Sequence, residues 1–171
     1  MKIIIIASGC HRGGGGVMLK DLLNSALTMK SINFHIMVDY RFDWRSYSSG
    51  NIFFTTISKF QRIFYVNKIV NNLVDKDDII INISGLPTFK RYSGTVVHYL
   101  MNRFHVDNYP TTDLPIFVRF RLAIEKMAFS IYLKNADYIF VHNLVMKDLV
   151  LKLGYSENII RVIPFKDLDK I

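Results

Sequence analysis

The chain of 171 residues has one cysteine, one tryptophan, four prolines and only two glutamates, Glu125 and Glu157. A single thiol, Cys10, cannot build an internal disulfide framework; it fits a reducing compartment, and a cytoplasmic location is expected. No apolar run is long enough to cross a bilayer. Ile3 to Ala7 is followed at once by Ser8, His11 and Arg12, which makes it a buried strand and not a signal peptide. The histidines (His11, His35, His98, His105 and His142) have no metal-ligand spacing, so no metal is expected. Two phosphate-binding patterns are also missing. Gly16 is followed by Val17 and Met18, which removes a P-loop, and Leu19 stands where the dinucleotide pattern after Gly14 and Gly16 requires Gly or Ala. Asp75-Lys76-Asp77 has metal-binding D-x-D spacing but precedes a predicted strand, so it belongs at the amino end of a sheet as a solvated turn. Asp167-Leu168-Asp169 in the tail is an equally weak match, and no serine lies in a nucleophile elbow.

What is present suits one compact domain. Half the residues are hydrophobic and 13% are aromatic, enough for a sizeable core. The net charge of +8 is spread among aromatics at Arg41, Arg45, Arg62, Arg91, Arg103, Arg119 and Arg121, with no long basic block. That pattern fits a soluble basic surface or contact with an anionic membrane face, and no nucleic-acid partner is expected.

Strand and helix signals alternate along the chain. Lys2–Ala7 is a β-branched central strand, followed by a glycine-rich loop, 9–16, and a helix ending near Lys30. Strands are predicted at 34–38, 52–57, 79–83, 95–100, 138–141 and 159–163. Ser58 is placed to cap a helix carrying Phe60, Ile63, Phe64, Val70, Leu73 and Val74. A long helix is predicted from Pro115 to Asn135, and a shorter one from Leu144 to Leu153, capped by Asn143 and stopped by Gly154. The expected fold is α/β: a parallel sheet with helices on both faces. Ligands of such sheets bind beyond the carboxyl ends of the strands. The candidate segments are therefore 9–16, 39–47, 84–88, 102–107 and 142–143.

Gly13, Gly14, Gly15 and Gly16 place bare backbone N–H groups at a helix start, where they suit a phosphate; a flexible turn is the plainer alternative. Asp39, ending the second strand, stands where a dinucleotide-binding domain holds its ribose, although the loop pattern is wrong. The helix from Pro115 is apolar around much of its surface and punctuated by Arg119, Arg121, Lys126 and Lys134. Packing on the sheet is the plainer reading, and a membrane-interface helix the other.

Several segments in order resemble the N-terminal domain of the retaining GT-B glycosyltransferases of family 4. These are MKIIIIASGCHRGGGGVMLKDLLNSAL at the start, VVHYLMNRF in the middle, and ADYIFVHNLVMKDLVLKLGYSENIIRVIPF near the end. The resemblance implies a Rossmann-like domain over 1–165, with 166–171 opening an interdomain linker or tail. It implies that Gly13 to Gly16 meet the diphosphate of a nucleotide-sugar, and that His98, Asn102, Arg103 and His105 lie nearest the acceptor. It further implies metal-independent transfer with retention to a lipid-linked glycan or polysaccharide acceptor, as in O-antigen assembly, at the inner membrane face. The family's donor domain carries an E-x7-E element, which two glutamates 32 positions apart cannot supply. The expectation is an acceptor-side half whose donor-binding domain is absent and which is inactive without it; either a separate donor-binding chain supplies the other half, or the chain is a truncated product. Two alternatives stay open: a non-catalytic partner subunit of a split glycosyltransferase, and a dinucleotide-binding oxidoreductase domain resting on Asp39.

Overall fold

The computed structural model describes residues 1–58, 61, 64–107 and 110–164. Among them, seven strands form one sheet: β1 (Lys2–Ala7), β2 (Asn33–Asp39), β3 (Ile52–Ile57), β4 (Ile79–Asn82), β5 (Thr95–Leu100), β6 (Tyr138–Val141) and β7 (Ile160–Val162). Their order is β3-β2-β1-β4-β5-β6-β7, and every neighbouring pair is parallel. β1 lies at the centre because its run of isoleucines can be buried on both faces. Ile5 pairs with Ile36 on one side and Ile81 on the other.

Side chains alternate across the sheet, and the helices divide accordingly. Ile5 and Ala7 pack with Leu19, Leu23 and Ala26 of α1 (Gly13–Thr28). Ile4 and Ile6 face the other way, onto Val66 and Val70 of α2 (Phe64–Leu73). Leu100, on the same face as Val96, packs with Phe129 of α3 (Ile116–Tyr132) and with Met146 and Val150 of α4 (Leu144–Lys152). Helices do cover both faces, but unequally, one against three. Right-handed crossovers require this, because the sheet grows from β1 in one direction through α1 and in the other through α2, α3 and α4. The reversal between β1 and β4 is the topological switch point, where a crevice opens at the carboxyl ends.

Two local details, the start of α1 and the end of the long helix, differ from the sequence expectation. The four glycines do not form a loop ahead of a helix; they are the first turn of α1, with Gly13 entering at φ +60°. Glycine costs about 1 kcal/mol per helical residue relative to alanine, so burial of Leu19, Leu23 and Ala26 must hold this turn. The described part of α2 begins at Phe64, and the Ser58 amide donates to Gln61 Oε1 at 3.0 Å. Phe60, Arg62 and Ile63, the side chain of Phe64, and 165–171 with Asp167, Leu168 and Asp169 lie outside the described residues. The long helix ends as a 3-10 turn, Leu133–Asn135. The cap of α4 is as expected: Asn143 Oδ1 accepts from the Met146 amide at 2.8 Å, and Gly154 leaves at φ +89°.

The amino end of the sheet is stitched shut. Asp78, buried, accepts from the Lys2 amide (2.8 Å) and the Asp75 amide (2.8 Å), and its Oδ2 lies 3.1 Å from Lys2 Nζ. Lys2 Nζ also reaches Asp75 at 2.8 Å. Asp75-Lys76-Asp77 is thus a turn at the amino end, as its position before β4 implies.

Candidate functional site

At the switch point two adjoining hollows, about 110 and 230 Å³, share Gly9, Ser84, Gly85 and Glu125 in their walls. Ser8 and Gly9 follow β1, while Ser84 and Gly85 follow β4. Asn82 shapes this second loop. Its Oδ1 accepts from the Ser84 amide (3.0 Å) and Ser84 Oγ (2.6 Å), and its Nδ2 donates to the Leu86 carbonyl (2.9 Å). The smaller hollow is closed by Val66, Asn67 and Phe89; the larger by His98, Asn102, His105 and Phe129.

His98 lies on the face of β5 that meets α3, with its ring edge-on to Phe129 at 5.2 Å. It is 1% exposed, and neither ring nitrogen has a hydrogen-bond partner among the described residues. Burial first, and then the nearby His105, push its pKa down to about 3, so the ring is neutral at ordinary pH. A neutral imidazole offers one donor and one acceptor. A buried polar group with both unmet, in the wall of a hollow, suits a ligand hydroxyl, which can supply both complements.

His105 ends the 3-10 turn Arg103–His105 and stacks on the same Phe129 ring, 4.3 Å away at 26°. Its Nε2 lies 3.1 Å from Glu125 Oε2 and 3.3 Å from Asn102 Nδ2. Asn102 is oriented by its own backbone role, since its Oδ1 accepts from the Phe104 amide at 3.1 Å and caps the turn. Glu125 Oε1 is 3.5 Å from Arg121 Nε. Among the described residues Glu125 is the one acid lining either hollow, and its position between His105 and Arg121 gives the cleft a fixed acceptor group.

The structure therefore brings His98, Asn102 and His105 together and turns Arg103 away. Arg103 Nε pairs with Asp107 at 2.6 Å on an exposed surface, outside both hollows. The glycines lie beside the cleft: a Cβ added at Gly15 would meet Cys10 Sγ at 3.2 Å and Met101 Cε at 3.5 Å, and Met101 lines the larger hollow. A Cβ at Gly14 would meet nothing within 4 Å. Arg12, the N-cap, makes no side-chain cap bond, and no acid occupies the first turn, so the opening N–H groups of α1 keep their partial positive charge. Asp39 is buried at the end of β2. Both its oxygens are engaged by Arg41, Nε at 2.8 Å and Nη2 at 2.9 Å, so a ribose there would compete with a bidentate guanidinium.

Glu125 carries the clearest signal that the sequence reading passed over. Leu122, Glu125, Phe129 and Leu133 follow the inward phase of α3 and the turn after it, and a lone acid on such a phase marks a polar pocket. Asn82 and Ser84 have no comparable signal. Among the described residues no group of three or more His, Cys, Asp or Glu side chains could hold a metal ion, and no helix is long and apolar enough to cross a membrane.

No protein-family model and no curated protein matches the chain. Among solved structures, the apo form of a lipopolysaccharide outer core galactosyltransferase, WaaB, is similar with a TM-score of 0.59 at 16% identity. The match covers 96% of this chain and 45% of that one, so the chain spans less than half the length of the structure it resembles. The fold is Rossmann-like α/β and matches that of a GT-B glycosyltransferase.

Proposed function

We propose that this chain is the acceptor-binding half of a metal-independent glycosyltransferase of family 4 type, serving surface-polysaccharide assembly such as O-antigen. It would work with a companion donor-binding domain that brings the nucleotide-sugar. The acceptor is a lipid-linked glycan. His98, Asn102 and His105, fixed by Glu125, take its hydroxyls, and the first-turn N–H groups of Gly13 to Gly16 approach the donor diphosphate. Arg103 serves the acceptor only if a phosphate draws it from Asp107.

One observation carries the reading: a buried, neutral His98 with both nitrogens unmet faces a polar cleft at the switch point. The shared fold with a galactosyltransferase is consistent with it. A saccharide suits such a wall because each hydroxyl both donates and accepts.

The test is a titration of the purified chain with UDP-, GDP- and dTDP-sugars and with neutral oligosaccharides, followed by calorimetry and by histidine NMR resonances. Oligosaccharide at millimolar concentration is expected to move the His98 and His105 signals, with little heat from any nucleotide-sugar. Tight nucleotide-sugar binding that Gly14→Val abolishes would show a self-sufficient donor site and end the half-enzyme reading. Histidine signals indifferent to every saccharide would end the acceptor assignment.

A further inference from the structure

We propose that the smaller hollow at the switch point is a subsite for an acetamido group, so that the saccharide taken by this cleft is an N-acetylhexosamine. The inference rests on the acceptor reading above and narrows it to one substrate class. The two hollows meet at Gly9, Ser84, Gly85 and Glu125, yet their walls differ in chemistry. The larger presents His98, Asn102 and His105, whereas the smaller is walled by Ile6, Val66, Leu86, Pro87 and Phe89. A Cβ at Gly85 would meet nothing within 4 Å, so the passage between them is open.

Polar groups around the smaller hollow are engaged within the protein. Asn67 Oδ1 accepts from the Tyr92 hydroxyl at 2.6 Å. Ser84 Oγ donates to Asn82 Oδ1 at 2.6 Å, and the Leu86 carbonyl accepts from Asn82 Nδ2 at 2.9 Å. The Thr88 carbonyl accepts from Asn135 Nδ2 at 2.9 Å. A sugar hydroxyl entering this space would exchange water for apolar walls and forfeit hydrogen bonds, while a methyl group would gain by leaving water. At about 110 Å³ the hollow has room for three or four heavy atoms, taking ~30 Å³ as the share of one water.

Glu125 decides which apolar group enters. It stands in the walls of both hollows, where the polar compartment passes into the apolar one. Its oxygens meet His105 Nε2 at 3.1 Å and Arg121 Nε at 3.5 Å, and a carboxylate has about four acceptor positions, so it can take a further donor. The junction therefore calls for an N–H or O–H donor followed at once by a methyl. An acetamido group supplies that sequence, its N–H on Glu125 and its methyl beyond. A hydroxyl has the donor without the methyl, and a 6-deoxy position the methyl without the donor. The ammonium of a free amino sugar would find Glu125 already faced by Arg121, and would leave the apolar walls wet.

The test titrates the chain with methyl glycosides of N-acetylglucosamine and N-acetylgalactosamine, beside those of glucose, galactose, the two free amino sugars and the 6-deoxy sugar fucose. Calorimetry gives affinity, and histidine NMR resonances report the cleft. An acetamido sugar is expected to bind about tenfold tighter than its hydroxyl and amino counterparts. Its acetamido methyl is expected to show NOEs to the Val66 methyls and the Phe89 ring. Val66→Thr places a hydroxyl in the smaller hollow alone at nearly constant volume, and is expected to erase most of the preference while leaving hexoside affinity unchanged. If a thermal melt shows that variant unfolded, Phe89→Ser, half-buried in the same wall, is expected to do the same. Histidine signals that respond to hexosides and acetamido sugars alike overturn the inference and leave the acceptor reading standing. So do tighter binding of the amino sugar or fucoside, and methyl NOEs that fall elsewhere. Histidine signals indifferent to every saccharide overturn both.

Discussion

At the amino end of the sheet, Asp78 is as buried as any core residue, and both its oxygens are bonded. At the carboxyl end, His98 is equally buried, and neither nitrogen is bonded among the described residues. The two residues belong to neighbouring strands, since Asp78 precedes β4 and His98 ends its pairing with Asn82 in register. Asp78 thus holds strands together, whereas His98 keeps its polar atoms unmet, although Asp39 and Asn82 at the same carboxyl end are fully bonded.

Five substitutions sharpen or break this contrast. The largest effect is expected from Asp78→Ala, which strips the Lys2 and Asp75 amides of their acceptor and leaves Lys2 Nζ with Asp75 alone. A loss of about 3 kcal/mol in urea unfolding is expected, and a loss below ~1 kcal/mol would mean that water replaces the carboxylate. Burial alone would raise the Asp78 carboxyl, but the Asp75 amide and the Lys2 amide and ammonium outweigh it and hold the group below its ordinary value. Its stabilising contribution is therefore complete above the unfolded value near 3.8 and fades as pH falls through the lower folded value. The parent should show that acid slope, and the alanine variant should lack it.

Next in size is Gly94→Ala. A Cβ there would stand 2.5 Å from the Asp78 carbonyl oxygen and 3.1 Å from that of Asp75. Backbone has to move, and a cost of about 2 kcal/mol is expected in thermal or urea melts. The same change at Gly14, beside the cleft, meets nothing and should leave stability unchanged or slightly higher.

His98→Leu tests the other end. Removing a buried imidazole without partners should leave stability unchanged or raise it by about 1 kcal/mol, while abolishing the saccharide response. Because its folded pKa of about 3 lies below the ordinary 6.5, the parent loses stability as pH falls from 6.5 toward 3. A leucine variant with a flatter profile over that interval confirms the assignment; an unchanged profile refutes it. The smallest effect belongs to Arg103→Ala, which breaks an exposed ion pair with Asp107. A change within about 0.5 kcal/mol is expected from a double-mutant cycle.

Much of the fold was legible because the apolar runs are short and sharply bounded. β1, β3, β5 and β6 begin and end at the predicted residues, since each is a β-branched or aromatic run flanked by polar turns. The start of α1 was hidden, because four glycines read locally as a loop and only packing several residues downstream makes them helical. Of the cleft, His98, Asn102 and His105 were singled out through the family resemblance, His98 within β5 and the other two just after it. Arg103 was open to an acceptor phosphate or a surface ion pair, and it pairs with Asp107 four residues on. Glu125 belongs to another element, and nothing in the local pattern near β5 points to it. Asn82 and Ser84 act through backbone geometry, which carries no signature of residue type.

The strand order has a consequence for how the chain acquires its shape. β1 can pair with β2 once about 40 residues are available, and β5, β6 and β7 each add beside the strand just before them. Only one neighbour pair joins distant stretches of chain, β1 with β4, where Ile3 meets Ile79. That closure carries the largest entropic cost in the sheet and is expected to set the pace of folding. It also brings Gly9 to Ser84 and Gly85. The cleft is therefore formed in the rate-limiting event, and a partly folded chain that has not made that closure has strands and helices on either side of a site that does not yet exist.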